Sequence, residues 1–177
     1  MKTGRNIITR LLPKTGQITE YVAGDDGTHE AGWWKGRLNS NNLTRWIQKT
    51  IGGDDIVLDR ATGLMWAADG NAAGCCNGIV QNWGDAITYA DIILNFAGFD
   101  DWRLPNMKEL VSILDGGVGP PRIAQPPFSN TVSDEYWSST TDPSVVTRAL
   151  TTQFDIMYTM YRAKTEEHYI RCVRKGL

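Results

Sequence analysis

The block Asp59-Arg60-Ala61-Thr62-Gly63-Leu64-Met65-Trp66 constrains the fold of this chain more than any other stretch. It sets a carboxylate, a turn-forming glycine and a tryptophan in a short span. Two later blocks, Asp101-Trp102-Arg103-Leu104-Pro105 and Tyr136-Trp137-Ser138-Ser139-Thr140, again place a rigid aromatic beside small or turn-forming residues. Tryptophan buries a large area and wants a partner for its N–H, while glycine supplies backbone conformations that other residues resist. With seven Trp and eighteen Gly in 177 residues, the chain reads as a loop-rich domain pinned by aromatics, with Trp66, Trp83, Trp102, Arg103 and Trp137 as its structural core. The length fits one such domain plus an N-terminal extension.

The elements follow from patterning. Ile56-Val57-Leu58 and Leu64-Met65-Trp66 flank a turn at residues 59–63, which predicts a β-hairpin. Residues 67–78 form a Gly/Ala/Asn loop. Asn82 is placed to cap a helix whose apolar positions Trp83, Ala86, Ile87, Ala90, Ile93 and Leu94 recur at helical spacing, ending at Gly98. A second helix starts after Pro105, with Asn106 as N-cap, Glu109 at N3, and Leu110, Val111, Ile113 and Leu114 as the buried face. Residues 115–135 read as loop. Strands follow at residues 136–139, 149–162 and 168–174, the middle one with Phe154, Ile156, Tyr158 and Met160 on one face. The order predicts an α+β fold.

Charge and cysteine content exclude several classes. A net charge of −2 argues against a general nucleic-acid binder, and no apolar run reaches membrane-spanning length. The basic C-terminal residues Arg162, Lys164, Arg171, Arg174 and Lys175 alternate with Glu166 and Glu167 and read as a solvated, balanced end. No signal-peptide core follows Met1, so export by the usual route is not expected. Cys75, Cys76 and Cys172 lack histidines at ligand spacing, which leaves one bridge, from Cys75 or Cys76 to Cys172, or three buried thiols. Asp100 and Asp101 are adjacent on an extended segment and point opposite ways, unlike a catalytic pair. Arg103 reads instead as a structural ion-pair or carbonyl-binding partner, with Asp101 or Asp59 as the candidate carboxylates.

Upstream, Leu12-Pro13-Lys14-Thr15-Gly16 mimics a sorting signal but stands at the wrong end of the chain. Residues 17–22 read as a short strand and Gly24-Asp25-Asp26-Gly27 as a tight turn. Calcium is the one ion these aspartates raise, and they lack the alternating oxygen ligands of an EF-hand, so no cofactor is expected. Trp33, Trp34 and Trp46 cover either the main domain or a neighbouring subunit. The boundary between extension and domain is set at residues 54 and 55, giving segments 1–54 and 55–177.

The blocks from Asp59 to Trp66, Trp83 with Ala86 and Tyr89, Gly98 with Asp101-Trp102-Arg103-Leu104-Pro105, Glu109-Leu110, Phe128, Tyr136-Trp137-Ser138-Ser139-Thr140 and Arg171-Cys172-Val173-Arg174 together resemble the DUF1566 family, that of the C-terminal domain of the Legionella collagen-like adhesin. The resemblance runs over residues 55–174. It implies a C-type-lectin-like fold: two helices, small antiparallel sheets and long irregular loops. It also implies a non-enzymatic binding module, of the kind found in adhesins and in variable proteins of diversity-generating retroelements, which often trimerise. A glycine that commonly divides the last two strands is missing at Asp155-Ile156-Met157.

The stretch corresponding to the diversified region, residues 141–164, is rich in Thr, Ser, Asp, Tyr and Arg, which suit a recognition surface. Asp142, Ser144, Thr147, Arg148, Asp155, Tyr158, Tyr161 and Arg162 are the expected ligand contacts. The expected function is recognition of a host surface glycan or protein by a phage tail-associated or cell-surface adhesin, a homo-oligomer with residues 1–54 contacting other tail proteins. The alternatives are a structural virion component without receptor binding and a catalyst like the formylglycine-generating enzymes, which depend on active-site cysteines.

Overall fold

The computed structural model describes residues 12–13, 15–29, 45–75, 77–93 and 95–176. Trp33, Trp34, Cys76 and Leu94 lie outside the described residues, as does the Ile93 side chain. The architecture is α+β. A four-stranded antiparallel sheet has the order β1-β2-β3-β9, from Trp46–Ile51, Asp54–Asp59, Leu64–Ala67 and Val173–Lys175. A three-stranded antiparallel sheet takes β5 (Glu135–Thr141), β6 (Arg148–Gln153) and β7 (Tyr158–Ala163) in order, and the two-residue strands β4 (Gln81–Asn82) and β8 (Glu167–His168) pair with each other.

The apolar run Ile56-Val57-Leu58 is continuous because the larger sheet is buried on both faces. Ile56 and Met65 face a cluster with Trp102, Trp137, Cys75 and Cys172, over which α2 (Trp83–Thr88) lays Ala86. Val57 and Trp66 face the opposite cluster, with Leu110 of α3 (Met107–Ser112), Phe128, Tyr136 and Phe154. Trp66, Trp102 and Trp137 are fully buried. Trp102 donates its indole N–H to Phe96 O at 2.9 Å and Trp137 to Gln81 O at 2.8 Å, so these rings also tie loops to the sheets.

Both helices begin where their capping residues lie. Asn82 accepts from Asp85 N, and α2 runs on into a π-helical turn at Tyr89–Ile93. Asn106 and Glu109 form a reciprocal capping box. Leu110, Ile113 and Leu114 are buried, whereas Val111 is 41% exposed and leaves the predicted apolar face.

Four readings are corrected. Arg103 pairs with neither Asp101 nor Asp59: its guanidinium meets both Glu109 oxygens, at 2.8 and 2.7 Å, locking the capping carboxylate. Asp59 instead takes a bidentate pair from Arg45, and Asp101 pairs with Arg174. Upstream of the expected boundary at residue 55, β1 pairs with β2 along its whole length and Trp46 packs edge-on against Phe128 at 5.1 Å. Residues 149–162 are not one strand: β6 and β7 form a hairpin, and Met157 at φ 59° adopts the left-handed conformation that a glycine takes more readily. Phe154 is therefore buried while Ile156 and Tyr158 are exposed. Arg171 is not solvated; it is wholly enclosed, donating to Ala67 O, Ala68 O and Thr131 Oγ1.

The fourth correction concerns the leader. Residues 17–22 form no strand, and Asp26–His29 is a single helical turn, α1. Asp25 organises this segment by accepting from Tyr21 N, Gln17 Nε2 and Thr28 N. Those bonds, led by the one from Tyr21, hold its carboxyl below its ordinary value. The leader docks backbone to backbone: Thr15 O accepts from Gly116 N at 2.7 Å, and a Cβ on Gly117 would fall 2.3 Å from Gly16 O.

Candidate functional site

The eight expected contact residues fall on two ends and two faces of the β6–β7 hairpin. Tyr158 and Tyr161 stand three apart on β7, so their side chains leave opposite faces of the sheet. The register places Tyr161 opposite Leu150, and Tyr158 opposite Gln153. The two ends of a six-residue strand lie roughly 17 Å apart.

At one end the β5–β6 connection rises from Asp142. This residue is 2% exposed; its Oδ1 accepts from Ser144 N at 2.8 Å and its Oδ2 pairs with Arg148 at 2.9 Å. Asp142 N also donates to Arg148 O, and Lys164 N to Thr147 O, both at 2.9 Å. Both feet of the loop are thereby fixed, and all five residues between them, 143–147, are exposed. Val146 is 71% and Val145 38% exposed. The Arg148 guanidinium, with 42% of its side chain exposed, lies 5.6 Å from the centre of the half-exposed Tyr161 ring. Alongside, Lys164 Nζ sits 3.9 Å from the Trp83 ring centre and donates to Thr141 Oγ1. Trp83 is half-buried, with its indole N–H on Ser138 O at 2.9 Å.

On the other face Arg162 turns inward. Its guanidinium is bidentate on Glu135, at 2.8 and 2.5 Å, and Thr151 Oγ1 adds a third bond at 2.8 Å. Burial opposes ionisation of Glu135, but the bonds from Arg162 and Thr151 and the nearby charges outweigh it and hold the carboxyl below its ordinary value. His168 stands edge-on to Trp137 at 4.8 Å, with Glu135 at 3.9 Å and Glu166 at 3.6 Å from its two nitrogens. The charges of Arg162 and Asp142 are thus met within the chain.

At the far end, Asp155 lies in the β6–β7 turn; its carbonyl accepts from Arg122 at 2.9 Å, and Oδ1 is enclosed without a hydrogen-bond partner among the described residues. Met157 here borders two clefts beside the leader. One, of about 470 Å³, is lined by Gln17, Tyr21, Gly116 and Gly117; the other, about 420 Å³ and mainly apolar, by Leu12, Pro13, Met107 and Val111.

Of the expected contacts, then, Ser144, Thr147, Arg148 and Tyr161 come together around one loop, and Tyr158 and Asp155 stand apart. Val145, Val146 and Lys164, which lie at the same loop, were not among the expected contacts. An apolar pair between Ser144 and Thr147, in an otherwise polar stretch, is the signal that marks the first two. Among the described residues, no cluster of three His, Cys, Asp or Glu could hold a metal ion, and no helix is long and apolar enough to cross a membrane. Cys75 and Cys172 are both fully buried in the same core cluster.

The profile of the Lcl C-terminal domain matches residues 55–174, more than half of the chain, in the same span as the Trp-centred blocks. The chain belongs to this family, that of the C-terminal domain of the Legionella collagen-like protein, DUF1566, and the family is adhesin-like. A search of curated proteins found no match to the chain.

Proposed function

We propose that the chain is a non-enzymatic, adhesin-type ligand-binding module on a C-type-lectin-like variant of the α+β fold, and that residues 143–147 with Arg148 and Tyr161 contact the ligand. The observation that carries this reading is the loop itself. Solvent-facing valines gain nothing from water, and a loop clamped at both feet presents them with little ordering cost on binding. Tyr161 and Arg148 add a rigid aromatic and a partly open cation, the residue types enriched where binding energy concentrates. The ligand is a host surface glycan or protein, and the module works in a homo-oligomer at a phage tail or cell surface, with the residues before β1 contacting other tail proteins. Residues 141–164 hold the positions that a diversifying retroelement would vary.

A printed array of bacterial and animal surface glycans, probed with the full chain, tests the reading. Val146→Asp and Tyr161→Ala should each weaken binding about ten-fold or more, since 1.4 kcal/mol suffices for that factor. Undiminished binding by both variants, with an unchanged unfolding temperature, would sink the assignment of the loop.

A further inference from the structure

Among the described residues, the outer edge of β7 is left open at Thr159 and Tyr161. Backbone alternation assigns its polar groups. Lys164 N–H reaches Thr147 O, and Met160 O faces Thr151, so the even-numbered residues turn toward β6. Ala163 N–H is instead met by Glu166 Oε1 at 2.9 Å, on the far side. Thr159 and Tyr161 therefore point N–H and C=O away from the sheet, and no partner for these four groups lies among the described residues. Edge strands are commonly blunted by lysine, proline or a bulge. The edge strand β1 carries Lys49 between the exposed Gln48 and Thr50, whereas β7 reads Tyr-Thr-Met-Tyr-Arg-Ala, with two exposed tyrosines.

We propose that β7 pairs with β7 of a second copy of this chain, antiparallel, about a two-fold axis through Met160, joining two three-stranded sheets into one. The sequence is self-complementary in this register and in no neighbouring one. Two-fold antiparallel pairing sets residues of equal parity opposite each other, because the axis stands perpendicular to the sheet and preserves its faces. Centred on Met160, Thr159 of each copy exchanges both hydrogen bonds with Tyr161 of the other, which satisfies all four open groups. Centring on Tyr161 would oppose Thr159 to Ala163, whose N–H is already taken. Centring on Thr159 would oppose Tyr161 to Met157, which has left the strand conformation. The side chains agree: Thr159 opposite Tyr161 is a β-branched–aromatic pair, and Tyr158 opposite Arg162 sets a ring against a guanidinium face. The two-fold contact is isologous, unlike the trimer contact that the family resemblance implies.

Sedimentation velocity of the full chain over a concentration series, repeated with Thr159→Pro, is the test. Proline removes an N–H that β6 does not use, so the fold should persist, checked by its unfolding transition, while dimerisation weakens about ten-fold or more. If that variant fails to fold, Tyr161→Lys replaces it by placing a charge on the edge. Met160→Cys gives an independent reading. In the paired register Met160 meets itself in a non-hydrogen-bonded pair, with Cα atoms about 4.5 Å apart, inside the disulfide range. Under mild oxidant this variant should run as a dimer on a non-reducing gel, in contrast to the wild-type chain. A chain that stays monomeric throughout, a dimer or trimer that the edge variants leave intact, or a dimer in which Met160→Cys fails to cross-link would overturn the proposal.

Discussion

The hairpin connections at Asp59 and Asp142 are built on the same device and put it to different ends. In each, a buried aspartate accepts from the backbone N–H two residues on, Ala61 at 2.9 Å or Ser144 at 2.8 Å, and pairs with an arginine. Around Asp59 both members of the ion pair are enclosed: Arg45 is 5% exposed, bonds also to Ser112 O at the end of α3, and lies 4.0 Å from the Trp46 ring centre. Around Asp142 only the carboxylate is enclosed; the arginine is half in water and the loop above it is bare. The first device staples an N-terminal strand and a helix to the core. The second fixes a loop whose five residues are all exposed, which is what a displayed recognition surface requires.

The comparison breaks most visibly at Asp59. Asp59→Ala removes the bidentate carboxylate partner of an enclosed arginine and should cost about 3–5 kcal/mol in urea unfolding. Asp142→Ala releases a half-solvated arginine and one exposed N–H, so its cost should be about 1–2 kcal/mol, with a larger loss of ligand binding than of stability. Equal costs at the two sites would erase the distinction.

Acid titration sharpens the contrast on the inner face of the hairpin. Glu135 has its folded pKa held below the ordinary 4.5, and Glu109 likewise, burial opposing and the arginine bonds prevailing. A depressed carboxylate contributes stability that is fully present above its unfolded pKa and is lost as pH falls through the folded one. Stability should therefore decline below the ordinary 4.5, and Glu135→Gln should flatten that decline. An identical slope in this variant would remove Glu135 from the scaffold. The smallest effect belongs to the loop tip: Val146→Ser should shift stability by less than about 0.5 kcal/mol, as surface changes do.

What the sequence made legible was local. The capping box of Asn106 and Glu109 spans four residues, and Ile56-Val57-Leu58 declares a strand by its short apolar run. Partner choice was not legible. Asp59 finds Arg45 across the β1–β2 hairpin, and Arg103 finds Glu109 rather than the adjacent Asp101, because only the folded chain sets which charges meet. The β6–β7 turn was hidden by Met157, which occupies a backbone conformation that its residue type does not advertise. For the same reason Tyr158 was grouped with Arg162 and Tyr161 at one site. Strand parity sets Tyr161 on the face opposite Tyr158 and Arg162, and Tyr158 stands at the turn end of β7 while Arg162 lies near its other end.

Hydrogen exchange at the two ends of the β6–β7 hairpin, with and without a glycan retained from the array, tests the central claim most directly. The account predicts slowed exchange at the backbone amides of residues 144–148 and no change at residues 154–158. Protection confined to residues 154–158 and the leader clefts, with the loop unaffected, would contradict it.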